Sequence, residues 1–117
     1  MKRNLETIRE ILKRLHAYED TELSNDVSYH IDGLIDQGYV NAVQVLRDGR
    51  TFYYQGLRLT WEGHELLASI SNETVWQSIK DKLSERDLTV DDVPVAVVRQ
   101  LSHNIMLSMF GGSNAWK

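Results

Sequence analysis

The stretch that decides the fold is "YVNAVQVLRDGRTFYYQGLRLT", residues 39–60. Both halves are rich in β-branched and aromatic residues, which favour β-strands. Asp48-Gly49 separates the halves, and this dipeptide accepts the positive φ angles of a tight hairpin turn. Gly56 interrupts the second half, where a bulge or the outer rim of the hairpin is expected. The stretch therefore predicts a β-hairpin.

Two helices are predicted before the hairpin. Residues 2–18 and a segment from Asn25 or Asp26 to Gln37 carry apolar side chains at the i, i+3, i+4 and i+7 spacing of a helix with one apolar side. Gly38 then supplies a stop. The connector at residues 19–26 contains cap formers but little to bury, so we expect one helical turn or a strand-like linker there.

The segment "LTWEGHELLASI", residues 59–70, predicts a helix capped by Thr60. Helical spacing resumes after Asn72, with a break near Ser71 or one longer bent helix as the alternatives. We expect the segment at 59–70 to be a structural joint in which Trp61 is buried. In that joint Gly63 would allow a close backbone approach, and His64 would be partly buried and hydrogen-bonded.

A final helix is predicted with Asp91 or Asp92 as its cap, Pro94 in its first turn and Gly111-Gly112 at its end. It carries more apolar surface than one contact face requires, which predicts a homodimer through this C-terminal helix. The apolar residues concerned are Leu101, Ile105, Met106, Leu107, Met109 and Phe110.

The order helix, connector, helix, hairpin and helix is that of a winged helix with C-terminal additions. We therefore predict an α+β, mostly helical fold: a winged-helix-like core, in which the hairpin is the wing, with additional C-terminal helices. A chain of 117 residues suits a single domain, residues 1–117, with the core at 1–60 and the C-terminal helices at 61–112.

Four segments carry a resemblance to a known family: "MKRNLETIREIL", "YHIDGLIDQGYV", "LTWEGHELLASI" and "TVWQSIKDKL". They resemble the bacterial and prophage proteins grouped as domain of unknown function 2513, over nearly the whole chain. The resemblance implies a winged helix with extra C-terminal helices, often carried by phages. It implies no catalytic residue and no ligand.

The motifs of catalysis and cofactor binding are not present in the sequence. His64-Glu65 would need a second histidine at position 68 to form a zinc protease motif, and that position is Ala68. Ser69, Ser71 and Ser78 lack a glycine-flanked nucleophile elbow, and the glycines form no phosphate-binding loop. A Ser–His–Asp arrangement of distant residues stays open, so a small hydrolase is the third and least favoured alternative. We therefore expect no enzyme, with no catalytic residue, no metal and no cofactor.

The charge pattern favours a protein partner. Six acidic residues and no lysine or arginine lie in residues 15–46, so the helix in the recognition position would be repelled by phosphates. We expect a non-catalytic interaction module that binds a host or phage protein through the acidic outer side of this helix. The candidate residues are Tyr29, Asp32, Asp36 and Gln37.

The alternative is a DNA-binding transcriptional regulator that uses the wing and the first helix. The candidate residues are Arg47, Arg50 and Arg58 in the hairpin and Arg9 and Lys13 in the first helix. A net charge of −4 argues against strong non-specific binding to DNA. The chain has no cysteine and no apolar run near the ~20 residues that span a bilayer, so we expect a cytoplasmic protein.

Overall fold

The computed structural model describes residues 2–110, which form five α-helices and a two-stranded antiparallel sheet. The elements are α1 Leu5–Lys13, α2 Asn25–Asp36, β1 Val40–Arg47, β2 Arg50–Leu59, α3 Trp61–Ile70, α4 Glu73–Ser84 and α5 Val95–Met109. Single 3₁₀ turns cover Leu15–Tyr18 and Val90–Asp92. The predicted class, α+β and mostly helical with a winged-helix-like order of elements, is confirmed.

The chain divides into two compact units, the first up to Leu67 and the second from Ala68. In the first unit α1 lies against α2, and the hairpin contributes Val40, Tyr54 and Leu57 to the buried set. The helices contribute Leu5, Ile8, Ile11, Leu12, Ile31 and Leu34. These positions follow the apolar spacing that predicted the two helices.

The first helix is shorter than predicted. Arg14 leaves the helical conformation, with φ at −132°, and α1 therefore ends at Lys13. A 3₁₀ turn then carries Leu15 into the core. After this turn Glu19 forms a single parallel bridge with Tyr54. The connector therefore makes a strand-like contact with the wing. The 3₁₀ turn before it occupies the residues that were predicted to end the first helix.

The hairpin is confirmed, with Asp48 and Gly49 at φ angles of 53° and 81° in its turn. The pairing shifts register twice, between Asn41 and Val43 and between Val45 and Leu46. At each shift the extra residue lies in β2. Gly56, at φ 63°, lies in the first of these bulges, as its position in the sequence predicted.

The start of α3 is only partly as expected. Thr60 is a cap, since its hydroxyl accepts a hydrogen bond of 3.0 Å from the Gly63 N–H. A Cβ at Gly63 would collide with the carbonyl oxygen of Tyr39, which confirms the close approach. Trp61, however, is 77% exposed and His64 is exposed as well, so the prediction that they are buried is wrong. Trp61 lies two residues, about 200° of helix rotation, from the buried Gly63 and therefore points away from it.

The second unit contains α4 and α5, which contact each other. Asn72 caps α4 by accepting from the Val75 N–H at 3.0 Å, so the break near Ser71 is confirmed. Among residues 2–110 the tryptophan that is buried is Trp76, at 0% exposure. On α5 the Ser102 hydroxyl donates to the Ser69 carbonyl oxygen at 2.6 Å.

The predicted cap of the last helix is wrong. Asp92 belongs instead to a capping box with Thr89 around the second 3₁₀ turn. Val93 precedes Pro94 and is extended, as proline requires of its neighbour, so no helix can pass from Asp92 through Val93. Pro94 is the N-cap of α5. The predicted end at Gly111-Gly112, and with it the end of the 61–112 segment, lies outside the described residues.

Within residues 2–110 no helix combines the length and the apolar character that crossing a bilayer requires.

Candidate functional site

The second helix, α2, presents a distinct outer face, which we call the α2 face. Ser24 caps the helix by accepting from the Val27 N–H at 3.3 Å. The buried residues of this helix are His30, Ile31 and Leu34. The α2 face consists of the exposed residues Asp26, Tyr29, Gly33, Asp36 and Gln37.

Tyr29 is the aromatic residue of the α2 face and is 42% exposed. Its ring meets the ring of His30 edge-on, with the centroids 5.1 Å apart. His30 is itself held at both nitrogens: the Asn4 N–H donates to Nε2 at 2.9 Å, and Nδ1 donates to the Asp26 carbonyl oxygen at 2.7 Å. Tyr29 is therefore placed against a fixed neighbour.

Asp32 does not belong to the α2 face, and the expectation that it faces solvent is wrong. Its Oδ1 accepts hydrogen bonds from the Tyr54 hydroxyl at 2.6 Å and from Gln44 Nε2 at 2.7 Å. The Thr51 hydroxyl lies 3.3 Å from both carboxylate oxygens. Asp32 thus ties α2 to both strands of the wing. A helical wheel missed this because the wing covers a side of α2 that carries no apolar stripe.

Tyr54 is the buried member of this cluster, with 0% exposure. Burial of its ring, and next the hydrogen bond to Asp32, raise the pKa of Tyr54 above the ordinary tyrosine value. Its hydroxyl is therefore a hydrogen-bond donor throughout the physiological pH range. The cluster is structural: every member is engaged with another member.

The tip of the wing brings two of the predicted arginines together. Arg47 and Arg50 are cross-strand partners beside the turn, and both are exposed. The guanidinium of Arg47 lies 4.9 Å from the centre of the Phe52 ring. Arg58 is exposed but lies near the other end of the hairpin, opposite Asn41. The wing therefore presents a pair of arginines at its tip and a single one near its base.

A cleft of about 220 Å³ opens beside this arginine pair. One wall is the wing tip and the other is the approach to α2. The lining residues are Glu22, Leu23, Asn25, Arg47, Asp48, Arg50, Thr51 and Phe52. Sequence reasoning missed the contribution of Glu22 and Asn25, because only the folded connector brings them to the wing. With two acids beside two arginines, the cleft has no formal excess of either charge.

The first helix contributes less positive charge than predicted. Arg9 is only 4% exposed, so the prediction that it contacts nucleic acid is wrong. It borders the apolar stripe of α1 and is buried with it, as long arginine stems can be. Lys13 Nζ lies 3.9 Å from the Glu10 carboxylate, and Arg14 lies 3.5 Å from it. One acid therefore offsets part of this charge.

Among residues 2–110 no group of three or more His, Cys, Asp or Glu side chains is placed to hold a metal ion.

Comparison with known proteins places the chain in a family. No solved structure matches it. An "Uncharacterized protein" of Haemophilus influenzae (strain Rd) is 32% identical over 120 residues, covering 93% of this chain and 98% of that protein. The family model described as "Hypothetical protein (DUF2513)" matches residues 2–89. The chain, which the sequence segments had already linked to this group, therefore belongs to the DUF2513 family.

Proposed function

We propose that the protein is a cytoplasmic, non-catalytic winged-helix interaction module that binds a basic segment of a host or phage protein through the α2 face. The observation that carries this proposal is the charge of that face. Asp26 and Asp36 stand at its two ends with exposed Tyr29 between them, and residues 15–46 contain no lysine or arginine. An acidic face with an aromatic centre suits a basic partner and repels nucleic acid.

Gly33 adds a steric argument. Glycine inside a helix costs roughly 0.5–1 kcal/mol relative to alanine. A Cβ at Gly33 would meet no atom within 4 Å, so nothing in the described chain requires glycine there. Its neighbours on the α2 face are Tyr29 and Asp36, at helical spacing. A bare backbone at this point lets a partner's main chain approach the helix closely.

A charge-reversal experiment tests the proposal. Asp36→Lys places a positive charge at the C-terminal end of α2, where the helix dipole favours it, so the fold should be retained. Glu85→Lys makes the same charge change at the C-terminal end of α4 and is the matched control. Nuclease-treated lysate of a bacterial host is passed over each immobilised variant.

Capture of a basic protein by the wild type and by Glu85→Lys, with loss in Asp36→Lys, is the expected result. Capture that disappears on nuclease treatment, or that Asp36→Lys leaves intact, contradicts the proposal. Gln37 is exposed next to Asp36, and Gln37→Ala should weaken capture less than the charge reversal does.

A DNA-binding regulator is the second candidate, favoured by the exposed arginine pair at the wing tip. If it is correct, affinity for duplex DNA falls with salt, and the double variant Arg47→Ala/Arg50→Ala flattens the dependence by about 0.9 in log–log slope per lost phosphate contact. Fluorescence anisotropy with a selected operator measures both. Specific binding near ~10⁻⁸ M would favour this candidate over the protein-binding module.

A homodimer through the C-terminal helix is a further part of the proposal. At the end of α5, Leu107, Met109 and Phe110 are 42%, 54% and 63% exposed. Covering such apolar side chains with a second surface is favourable, because it removes apolar area from water.

A further inference from the structure

The two outer edges of the sheet differ in whether another segment covers them. The outer edge of β2 is covered by the connector: the Asp20 N–H donates to the Tyr54 carbonyl oxygen at 2.8 Å. Nearby, the Glu19 carboxylate accepts from the Leu57 N–H at 2.7 Å. Both bulges of the hairpin also lie in β2. Coverage and bulges are the devices by which proteins keep a sheet edge from pairing with another chain.

The outer edge of β1 has neither device. β1 has eight residues, and both register shifts leave it without an extra residue. Within residues 2–110, no backbone hydrogen bond connects β1 to a segment other than β2. The strand contains no proline and no charged side chain before Arg47 at its end. Val43 and Leu46 are 62% and 63% exposed.

We propose that β1 pairs antiparallel with β1 of a second copy of this chain, which joins two hairpins into a four-stranded sheet. A long, regular, uncharged edge is a template for strand addition, because its free N–H and C=O groups are already aligned. A hairpin alone is marginally stable in water, and a sheet of more strands is stabilised by further pairing.

The sequence of β1 favours its own copy as the occupant. In an antiparallel pair centred near Val43 or Gln44, the two Arg47 side chains lie at opposite ends, so no like charges face each other. Val43 and Val45 then lie on one face of the joined sheet beside the same residues of the copy. β-branched pairs of this kind stabilise a sheet.

Self-association tests the proposal directly. Strand pairing without a large side-chain interface belongs to the weak class below about 1,200 Å² of buried surface, so sedimentation equilibrium should extend to about 1 mM protein. Val43→Lys places a lysine on the open edge, as natural edge strands do, and should weaken dimerisation about tenfold. Gln55→Lys is the matched control, since Gln55 is the cross-strand partner of Val43 on the covered strand and is exposed.

A second measurement uses the absence of cysteine from the chain. In a symmetric antiparallel pair one residue faces its own copy, and a disulfide needs Cα atoms within about 7 Å. Single cysteines at residues 42, 43, 44 and 45 should therefore cross-link readily at one position and much more slowly at its neighbours.

All variants are compared in the Met109→Lys background, which removes the dimer proposed through α5. In that background the proposal is overturned by a monomer at the highest concentration, by equal cross-linking at all four positions, or by a dimer that Val43→Lys leaves unchanged. Met109→Lys distinguishes the end of α5 from the strand edge. If that variant abolishes the dimer while Val43→Lys has no effect, the interface lies on α5 and the strand-pairing proposal is wrong.

Discussion

Removing one hydroxyl group should measure how strongly the wing is tied to α2. Tyr54→Phe keeps the buried ring and deletes the donor to Asp32, a hydrogen bond of 2.6 Å. Bonds to charged groups contribute about 1.5–3 kcal/mol to stability. Asp32 is only half-buried and keeps Gln44 and Thr51 as donors, so water and these neighbours replace part of the loss. We therefore expect a loss of about 1.5–2 kcal/mol in the free energy of unfolding.

The assay is urea unfolding followed by circular dichroism, with Tyr53→Phe as the control. Tyr53 is the adjacent residue of the same strand, is half-buried and takes no part in the Asp32 cluster. Removing its hydroxyl should therefore change the free energy of unfolding by less than about 0.5 kcal/mol. If both variants are as stable as the wild type, the hydrogen bond from Tyr54 to Asp32 does not stabilise the fold. If both lose stability equally, the effect is not specific to Asp32.

Four further predictions follow from burial and geometry. Trp76→Ala should lose roughly 3–5 kcal/mol of stability, whereas Trp61→Ala should lose less than about 0.5 kcal/mol, which chemical unfolding compares directly. Gly63→Ala should destabilise strongly, as a lowered melting temperature, because its Cβ meets backbone rather than a movable side chain. Because the pKa of Tyr54 is raised on folding, its contribution to stability is complete below about pH 10 and is lost at higher pH; alkaline unfolding curves of Tyr54→Phe should show a smaller loss than the wild type. Met109→Lys should reduce any dimer formed through α5, as judged by light scattering, without lowering the melting temperature, since Met109 is exposed.

The parts of the fold that depend on local chemistry were predictable from sequence. The hairpin follows from Asp48-Gly49, the break before α4 from the cap at Asn72, and the close approach at Gly63 from a missing side chain. Each of these signals is read within a few residues. Pro94 carries a local signal too. It favours an extended conformation at Val93, so α5 begins at Val95, later than a cap at Asp91 or Asp92 implies.

The burial of individual side chains was harder to predict, because it depends on which neighbouring element covers each side of a helix or strand. Arg9 was expected to be exposed and is buried beside the apolar stripe of α1. The helical pattern places Asp32 in solvent, whereas the wing covers it with three polar side chains. A polar residue next to an apolar stripe can lie on the buried or on the exposed side of its helix. Only the position of the neighbouring element decides which, and the sequence does not state that position.

Gly33 and Gly63 lie inside helices and lead to a prediction about which residues selection would accept at these positions. Gly63 is required by the chain's own backbone at Tyr39, whereas Gly33 has open space around it. In a library selected for folding alone, position 63 should remain glycine and position 33 should drift to alanine and other good helix formers. In a library selected for biological activity, glycine should be retained at position 33 as well if a partner approaches α2 there. Comparing the two libraries would separate the constraint set by folding from the constraint set by binding, before the partner is identified.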